Sequence, residues 1–162
     1  MATWAATAVG NCAGGALRTV KPFTPAVRAN IDYELTDKSI DFMRRQRTAG
    51  QPFYLYLPFS MGHVPNLPAE PFKGKSRIGN YGDKLMEGDF HVGRILDTLK
   101  ELGIEDNTIV LFASDNGPYG EAVREFGNQG TPDMGNSGPF RGSSAKSRKA
   151  RSARRRSCAG PG

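Results

Sequence analysis

Asn107-Thr108-Ile109-Val110-Leu111-Phe112-Ala113-Ser114-Asp115-Asn116-Gly117-Pro118 is the stretch that decides the fold. Thr108 to Phe112 is a short apolar, β-branched run, the pattern of a parallel strand covered on both faces. It ends in an Asp-Asn-Gly turn. In an open α/β sheet the carboxyl ends of the strands form the ligand side. This strand end carries a carboxylate, Asp115, and an amide carbonyl, Asn116, both hard oxygen donors suited to calcium or magnesium. Asp, Asn and Gly are also the commonest turn residues, so the surrounding sequence has to decide between the two meanings.

Working upstream, Gly103 stops a helix expected from about Tyr81 to Leu102, whose Leu85, Val92, Ile95, Leu96, Leu99 and Leu102 form a stripe at helical spacing. A loop rich in Pro and Gly, from Ser60 to Gly79, precedes it. Before the loop, Pro52 to Phe59 reads as a strand with Phe53, Leu55 and Leu57 on one face and Tyr54 and Tyr56 on the other, both apolar enough to be buried. Strand, helix, strand at this spacing is a βαβ unit, right-handed and with parallel strands. Such a unit sends His63 and Asp115 to the same sheet edge. A further helix is expected from Asp32 to Ala49, capped by Thr36, with Ile40 and Met43 on one face, Arg44, Arg45 and Arg47 near the negative end of the dipole, and Gly50 as its stop. Residues 1–30 carry little pattern, and Pro22 and Pro25 suggest irregular or extended backbone.

Three motifs in order resemble the sulfatase family. The first is Phe53 to Pro65, a strand running into Met61-Gly62-His63-Val64-Pro65, similar to the family's His-x-Pro turn. The second is Asn107 to Pro118, similar to the family's Ser-Asp-Asn-Gly strand end. The third is Asn136 to Gly142, which looks like the family's Leu/Phe-Arg-Gly segment. The resemblance implies an α/β fold with an alkaline-phosphatase-like mixed sheet and flanking helices, one βαβ unit included. It also implies a division into an irregular segment 1–30, a partial catalytic domain 31–142 and a basic tail 143–162. Related phosphatases on that fold more often place Asp-His after this strand, so Asn116 favours sulfate.

Sulfate ester hydrolysis needs a strong nucleophile, cations to offset charge on the sulfuryl oxygens, and an acid for the leaving oxygen. By resemblance, Asp115 and Asn116 are metal ligands for calcium or magnesium, His63 is the substrate-side histidine, and Arg141 supports the active-site loop. A histidine suits that place because both protonation states are accessible near neutral pH. His91, within the long helix, matches no catalytic position. Asp89 matches a structural acid of the family, and Phe59, Ser60 and Asn66 fall at the rim by position. Ser144 stands where many members have a sulfate-binding lysine. The family's nucleophile is a formylglycine made from Cys-x-Pro/Ala-x-Arg, and neither Cys12 nor Cys158 lies in that pattern. The chain is therefore expected to be an internal fragment, inactive alone. Two side chains also fall short of the six to eight oxygens calcium takes.

The formal net charge of +6 has an uneven origin. Eight of the 22 Lys and Arg lie from Arg141 to Gly162 without a single acid, leaving 14 against 16 acids elsewhere. A second reading follows, a small basic protein that binds nucleic acid non-specifically and salt-sensitively through its tail. The tail lacks interleaved aromatics for stacking bases, has no core-forming residues and is expected to be disordered. Back-translated with one base restored after the codon for Ser143, it yields a Glu-Gly then Arg-Thr-Pro segment leading into an apolar strand, similar to the family's continuation. The tail is thus expected to be an out-of-frame product. No window approaches the roughly 20 apolar residues of a membrane span. The first fifteen residues lack the basic start and apolar stretch of a secretory signal, although family members are often exported. The two cysteines, in unrelated contexts, leave the redox compartment open.

Overall fold

Thr24 and Pro25 start the first helix. The Thr24 hydroxyl accepts the Val27 N–H at 3.3 Å and Pro25 takes the first helical position, where its missing N–H is no loss. The computed structural model describes residues 7–10, 16, 18–115, 117 and 157–159. Within them the order is β1 (Thr7–Gly10), β2 (Arg18–Pro22), α1 (Pro25–Ala49), α2 (Gly79–Glu101), β3 (Val110–Phe112) and β4 (Ser157–Ala159), with short 3-10 turns at Glu70–Phe72 and Glu105–Asn107. α1 therefore begins a full turn and more before the expected Asp32. Thr36 is no cap: it is buried inside the helix, where its hydroxyl donates to the Asp32 carbonyl at 2.7 Å. Gly50 does end the helix, at φ 63°. Part of the segment expected to be irregular, 1–30, is instead an antiparallel pair, β1 with β2, whose register shifts between Ala8 and Val9.

α1 and α2 lie side by side and run parallel. Lys84 reaches the Ala29 carbonyl, Arg94 meets Asp37 at 2.6 Å, and Arg44 meets Glu101 at 3.2 Å, a constant offset along the two chains. Toward their carboxyl ends Ile40, Met43 and Leu99 form the buried apolar core, with Phe53, Leu55, Ile95, Leu102, Ile104 and Val110 packed around it. Full burial of side chains such as Met43 and Leu99 stabilises by about 1.5–3 kcal/mol each. The exposed ion pairs between the helices weigh far less.

α2 falls within two residues of its expected bounds, and Gly103 follows it at φ 61°. Its buried face is another matter. Leu85 and Leu96 are exposed, while Asp83, Lys84, Glu87, Gly88, His91, Thr98 and Leu99 are buried. The inward stripe is Lys84, Glu87, His91, Ile95, Thr98 and Leu102, polar in its first half and, apart from Thr98, apolar in its second. α1 matches it, with Asp32, Thr36 and Ser39 buried before Ile40 and Met43.

Residues 52–59 have the alternating burial expected of a strand but belong to no ladder among the described residues. Phe53, Leu55 and Leu57 are half-buried on the helix layer, whereas Tyr54 and Tyr56 are 86% and 74% exposed. One face is covered, not both. The segment starts where Phe53 meets Phe42 edge-on and finishes beside Asp32. Val110 packs on the same apolar cluster as Phe53 and Leu55. The two expected strands thus share a helix layer, yet the expected parallel pairing between them is not among the described ladders. β3 instead pairs antiparallel with β4, Val110 opposite Ala159 and Leu111 opposite Cys158. Three residues of the tail expected to be disordered are therefore strand, because a strand with unpaired N–H and C=O groups is a template for any segment that reaches it. β3 is also less covered than expected: Ile109, Leu111 and Phe112 are exposed.

Candidate functional site

The loop that carries His63 begins with a turn. The His63 N–H donates to the Ser60 carbonyl at 3.3 Å across Met61 and Gly62, and Gly62 has φ 79°, the left-handed position that a type II turn gives to glycine. Arg28 of α1 donates to the Ser60 carbonyl at 3.3 Å and to the His63 carbonyl at 3.0 Å, closing the turn from outside. Burial lowers the pKa of that guanidinium, and the Asp32 carboxylate opposes the shift. The imidazole of His63 is exposed, and its Nδ1 lies 2.6 Å from the Val64 carbonyl. A carbonyl only accepts, so Nδ1 carries the proton; in the neutral ring Nε2 is then the lone-pair nitrogen. The Val64-Pro65 bond is cis.

Beneath the loop, between α1 and α2, lies a fully buried charged cluster. Asp32 Oδ1 accepts the Ser60 N–H at 2.8 Å and Oδ2 accepts the Ser60 hydroxyl at 2.7 Å. Lys84 Nζ sits 3.1 Å from Asp32 Oδ2, 2.6 Å from Glu87 Oε1 and 3.5 Å from the Ala29 carbonyl, so each ammonium hydrogen has an oxygen. Glu87 Oε2 accepts the Ala69 N–H at 2.9 Å. Burial pushes the Glu87 carboxyl up; the neighbouring His91 ring, the Lys84 ammonium and the Ala69 N–H outweigh it and hold the group below the usual carboxylate range. Ion pairs this deep are retained only when their remaining lone pairs and protons are satisfied, as they are here.

Asp83 anchors the next stretch of the loop. It is buried, and its two oxygens accept the N–H groups of Gly74 at 2.7 Å and Ser76 at 2.6 Å. Burial raises its pKa, and the hydrogen bonds from the Ser76 and Gly74 backbone overcome that and lower it. The structural acid expected at Asp89 is exposed; Asp83 and Glu87 fix the loop instead. Close approach comes from Gly88, where a β-carbon would overlap the Met61 sulfur and stand 3.1 Å from its Cγ.

His91 is interior rather than on a solvated helix face. Tyr33 meets it edge-on at 4.4 Å, Phe90 lies at 5.4 Å, and Phe59 stacks at 6.1 Å. Its ring nitrogens have no hydrogen-bond partner among the described residues, and Glu87 Oε1 is 3.8 Å from Nε2, beyond hydrogen-bond range. Asn66 is buried as well, not at a rim, and Ser60 turns its hydroxyl inward to Asp32. Phe59 is half-buried against the His91 ring.

Asp115 is exposed just past β3. Asn116 and Arg141 lie outside the described residues, as do Cys12 and Ser144. Among the described residues no three His, Cys, Asp or Glu side chains are grouped to hold a metal ion. A single carboxylate supplies at most two of the oxygens that calcium requires, so the described residues do not fit a complete metal site. The sequence reading missed Arg28, Asp32, Lys84 and Glu87. The helical spacing of Lys84, Glu87 and His91 with the apolar Ile95 and Leu102 marks one helix face, but nothing local singles out Arg28 or Asp32 as its partners.

The sulfatase family model matches residues 10–152. The chain belongs to the sulfatase family. N-acetylgalactosamine-6-sulfatase of Canis lupus familiaris is 41% identical over 112 residues, covering 69% of this chain and 20% of that protein. Steryl-sulfatase of Mus musculus is 38% identical over 118 residues, 73% of this chain and 18% of its own length. Among solved structures, PsFucS1 sulfatase from Pseudoalteromonas sp. superposes with a TM-score of 0.65 at 35% identity, over 68% of this chain and 22% of that one. The chain thus spans about a fifth of the length of the curated relatives it matches. The match reaches into the basic tail, and the nucleic-acid reading finds no support in these comparisons. No described helix is long and apolar enough to cross a membrane.

Proposed function

We propose that this chain is the His63 and Asp115 part of a metal-dependent sulfuric ester hydrolase, with His63 facing the sulfate ester, Asp115 and Asn116 contributing to a calcium or magnesium site, and Arg141 supporting the loop beside it. The observation that carries this is the exposed imidazole of His63 on a loop whose backbone is tied to two helices at Ser60, His63 and Ala69. Rigid backing with an exposed ring is what substrate positioning requires. Protonation at Nδ1 gives Nε2 a defined role: once the ring is charged it donates to a sulfuryl or leaving-group oxygen. The metal site is completed by residues outside the stretch described here. Relatives named for 6-sulfated N-acetylgalactosamine recur among the matches, and a sugar sulfate ester is the substrate class we assign.

The test is a nuclear magnetic resonance titration of the histidine rings, of which there are two in the chain. Inorganic sulfate and N-acetylgalactosamine 6-sulfate should move the His63 signals and leave His91 in place, and calcium should move the Asp115 amide. Equal response at both rings, or none at His63, removes the assignment.

A further inference from the structure

One lysine joins the two carboxylates that hold the two ends of the His63 loop. Asp32 takes both the N–H and the hydroxyl of Ser60 at its beginning. Glu87 takes the N–H of Ala69 at its end. Lys84, 2% exposed, lies between them with the carboxylates 0% exposed. Without the ammonium two buried carboxylates would face each other in a low-dielectric space, and one would have to take up a proton or turn away. Turning away releases a backbone N–H, of Ser60 or of Ala69, that has no other described acceptor; taking up a proton keeps the bond but weakens it, because a neutral carboxyl accepts less strongly than a carboxylate. The two carboxylates that hold the loop termini are therefore joined through one ammonium, while Arg28 holds the Ser60 and His63 carbonyls from outside.

We infer that Asp32, Lys84 and Glu87 act together as positioning residues for His63, setting where the loop lies on the helix pair. This rests on the reading that His63 faces the sulfate ester. None of the three touches substrate in that reading; they act through the backbone of Ser60 and Ala69. The position of the imidazole follows, because Ser60 is the first residue of the turn that His63 closes. The cluster is distinct from the apolar core around Met43 and Leu99, which lies toward the other end of the helices. Loop placement and helix packing can therefore be separated by experiment.

The full chain is labelled with nitrogen-15, and amide exchange is followed in Lys84→Met, which keeps the stem of the side chain and removes the charge. Exchange at Ser60 and Ala69 should accelerate at least about tenfold more than at Met43 and Leu99, and the His63 ring signals should shift, since local opening of the loop adds to any loss of global stability that the core amides report. Unchanged exchange at Ser60 and Ala69, an unmoved His63 ring, or loss of protection at Met43 and Leu99 in step with the loop overturns the inference. If Lys84→Met does not fold, Asp32→Asn decides. A neutral amide accepts more weakly than a carboxylate and replaces only one of the two oxygens that hold Ser60, so Ser60 exchange should accelerate and the His63 ring should shift; an unmoved ring overturns the inference. Titration of the parent chain with inorganic sulfate separates the two readings. A loosened loop in the variant with no sulfate response at His63 leaves the positioning unit standing and sinks the substrate-side assignment, and the reverse result sinks the positioning unit alone.

Discussion

Met61 packs its sulfur into the space that a side chain at Gly88 would fill, so any larger residue at Gly88 has to displace the Met61 side chain. Two effects oppose each other at that position. Alanine favours a helix interior by about 1 kcal/mol over glycine, yet its methyl group would force Met61 out of a packed position.

Gly88→Ala alone should destabilise the chain by about 1 kcal/mol, typical of overpacking. In a Met61→Ala background the same change should stabilise, by roughly 0.5–1 kcal/mol. Chemical unfolding of the four proteins completes the cycle. Equal effects in both backgrounds would show that the two residues do not contact each other.

Acid should unfold the chain through Asp83 and Glu87. Both have folded pKa values below the ordinary carboxylate value, so near their folded pKa values the unfolded chain binds more protons and stability rises with pH. Their contribution is complete above the unfolded carboxylate range near about 4 and fades as pH falls through the lowered folded values. Asp83→Asn leaves one acceptor for two N–H groups and should cost about 1–3 kcal/mol at neutral pH. It should also flatten the acid limb of a plot of stability against pH. A variant with the parent's slope in that window counts against Asp83 as a source of the dependence.

Tyr54 and Tyr56 are exposed on a segment that belongs to no ladder among the described residues, and Ile109 and Leu111 are exposed at β3. Unpaired extended backbone with such side chains promotes association. The chain should bind hydrophobic dyes and sediment as larger species with rising concentration, and Tyr54→Lys with Tyr56→Lys should reduce both. Monomeric sedimentation of the parent at high concentration would contradict this.

Aryl sulfates should not be turned over by this chain at a rate above its Asp115→Ala variant. Neither cysteine lies in the pattern from which the family's nucleophile is made, and the described residues hold no complete metal site. Any turnover that depends on Asp115 would refute the expectation.

The basic tail can be judged from DNA. Restoring one base near codons 143 and 144 should open a frame that continues with Glu-Gly and Arg-Thr-Pro. Early stop codons in that frame would mean the tail is genuine. A salt-sensitive gel shift with DNA, lost on deletion of residues 143–162, would then deserve a search for a role.

The helices were legible because their ends are marked locally. Thr24-Pro25, Gly50 and Gly103 are start and stop signals readable without any partner, although Thr24 was passed over for Thr36. The face of α2 was misread because a hydrophobic stripe counts only apolar residues, and the side chains turned inward at its start are Lys84, Glu87 and His91. Their burial depends on Asp32, more than fifty positions away, which no local pattern reveals. Residues 52–59 alternate as a strand should. Whether they pair, and whether Tyr54 and Tyr56 are covered, depends on neighbours that are not encoded in the segment. His63 and Asp115 stand out by motif, and the structure has the local backbone expected for each, a turn and the end of a strand.

The buried lysine also constrains how this region can change over generations. Removing one member of a buried, hydrogen-bonded charge group costs about 3–5 kcal/mol, whereas exchanging the whole group for well-packed apolar residues can be neutral. On that arithmetic a single substitution at Asp32, Lys84 or Glu87 costs more than exchanging all three together. A lineage that made that exchange would also need new acceptors for the N–H groups of Ser60 and Ala69 before it could move the histidine.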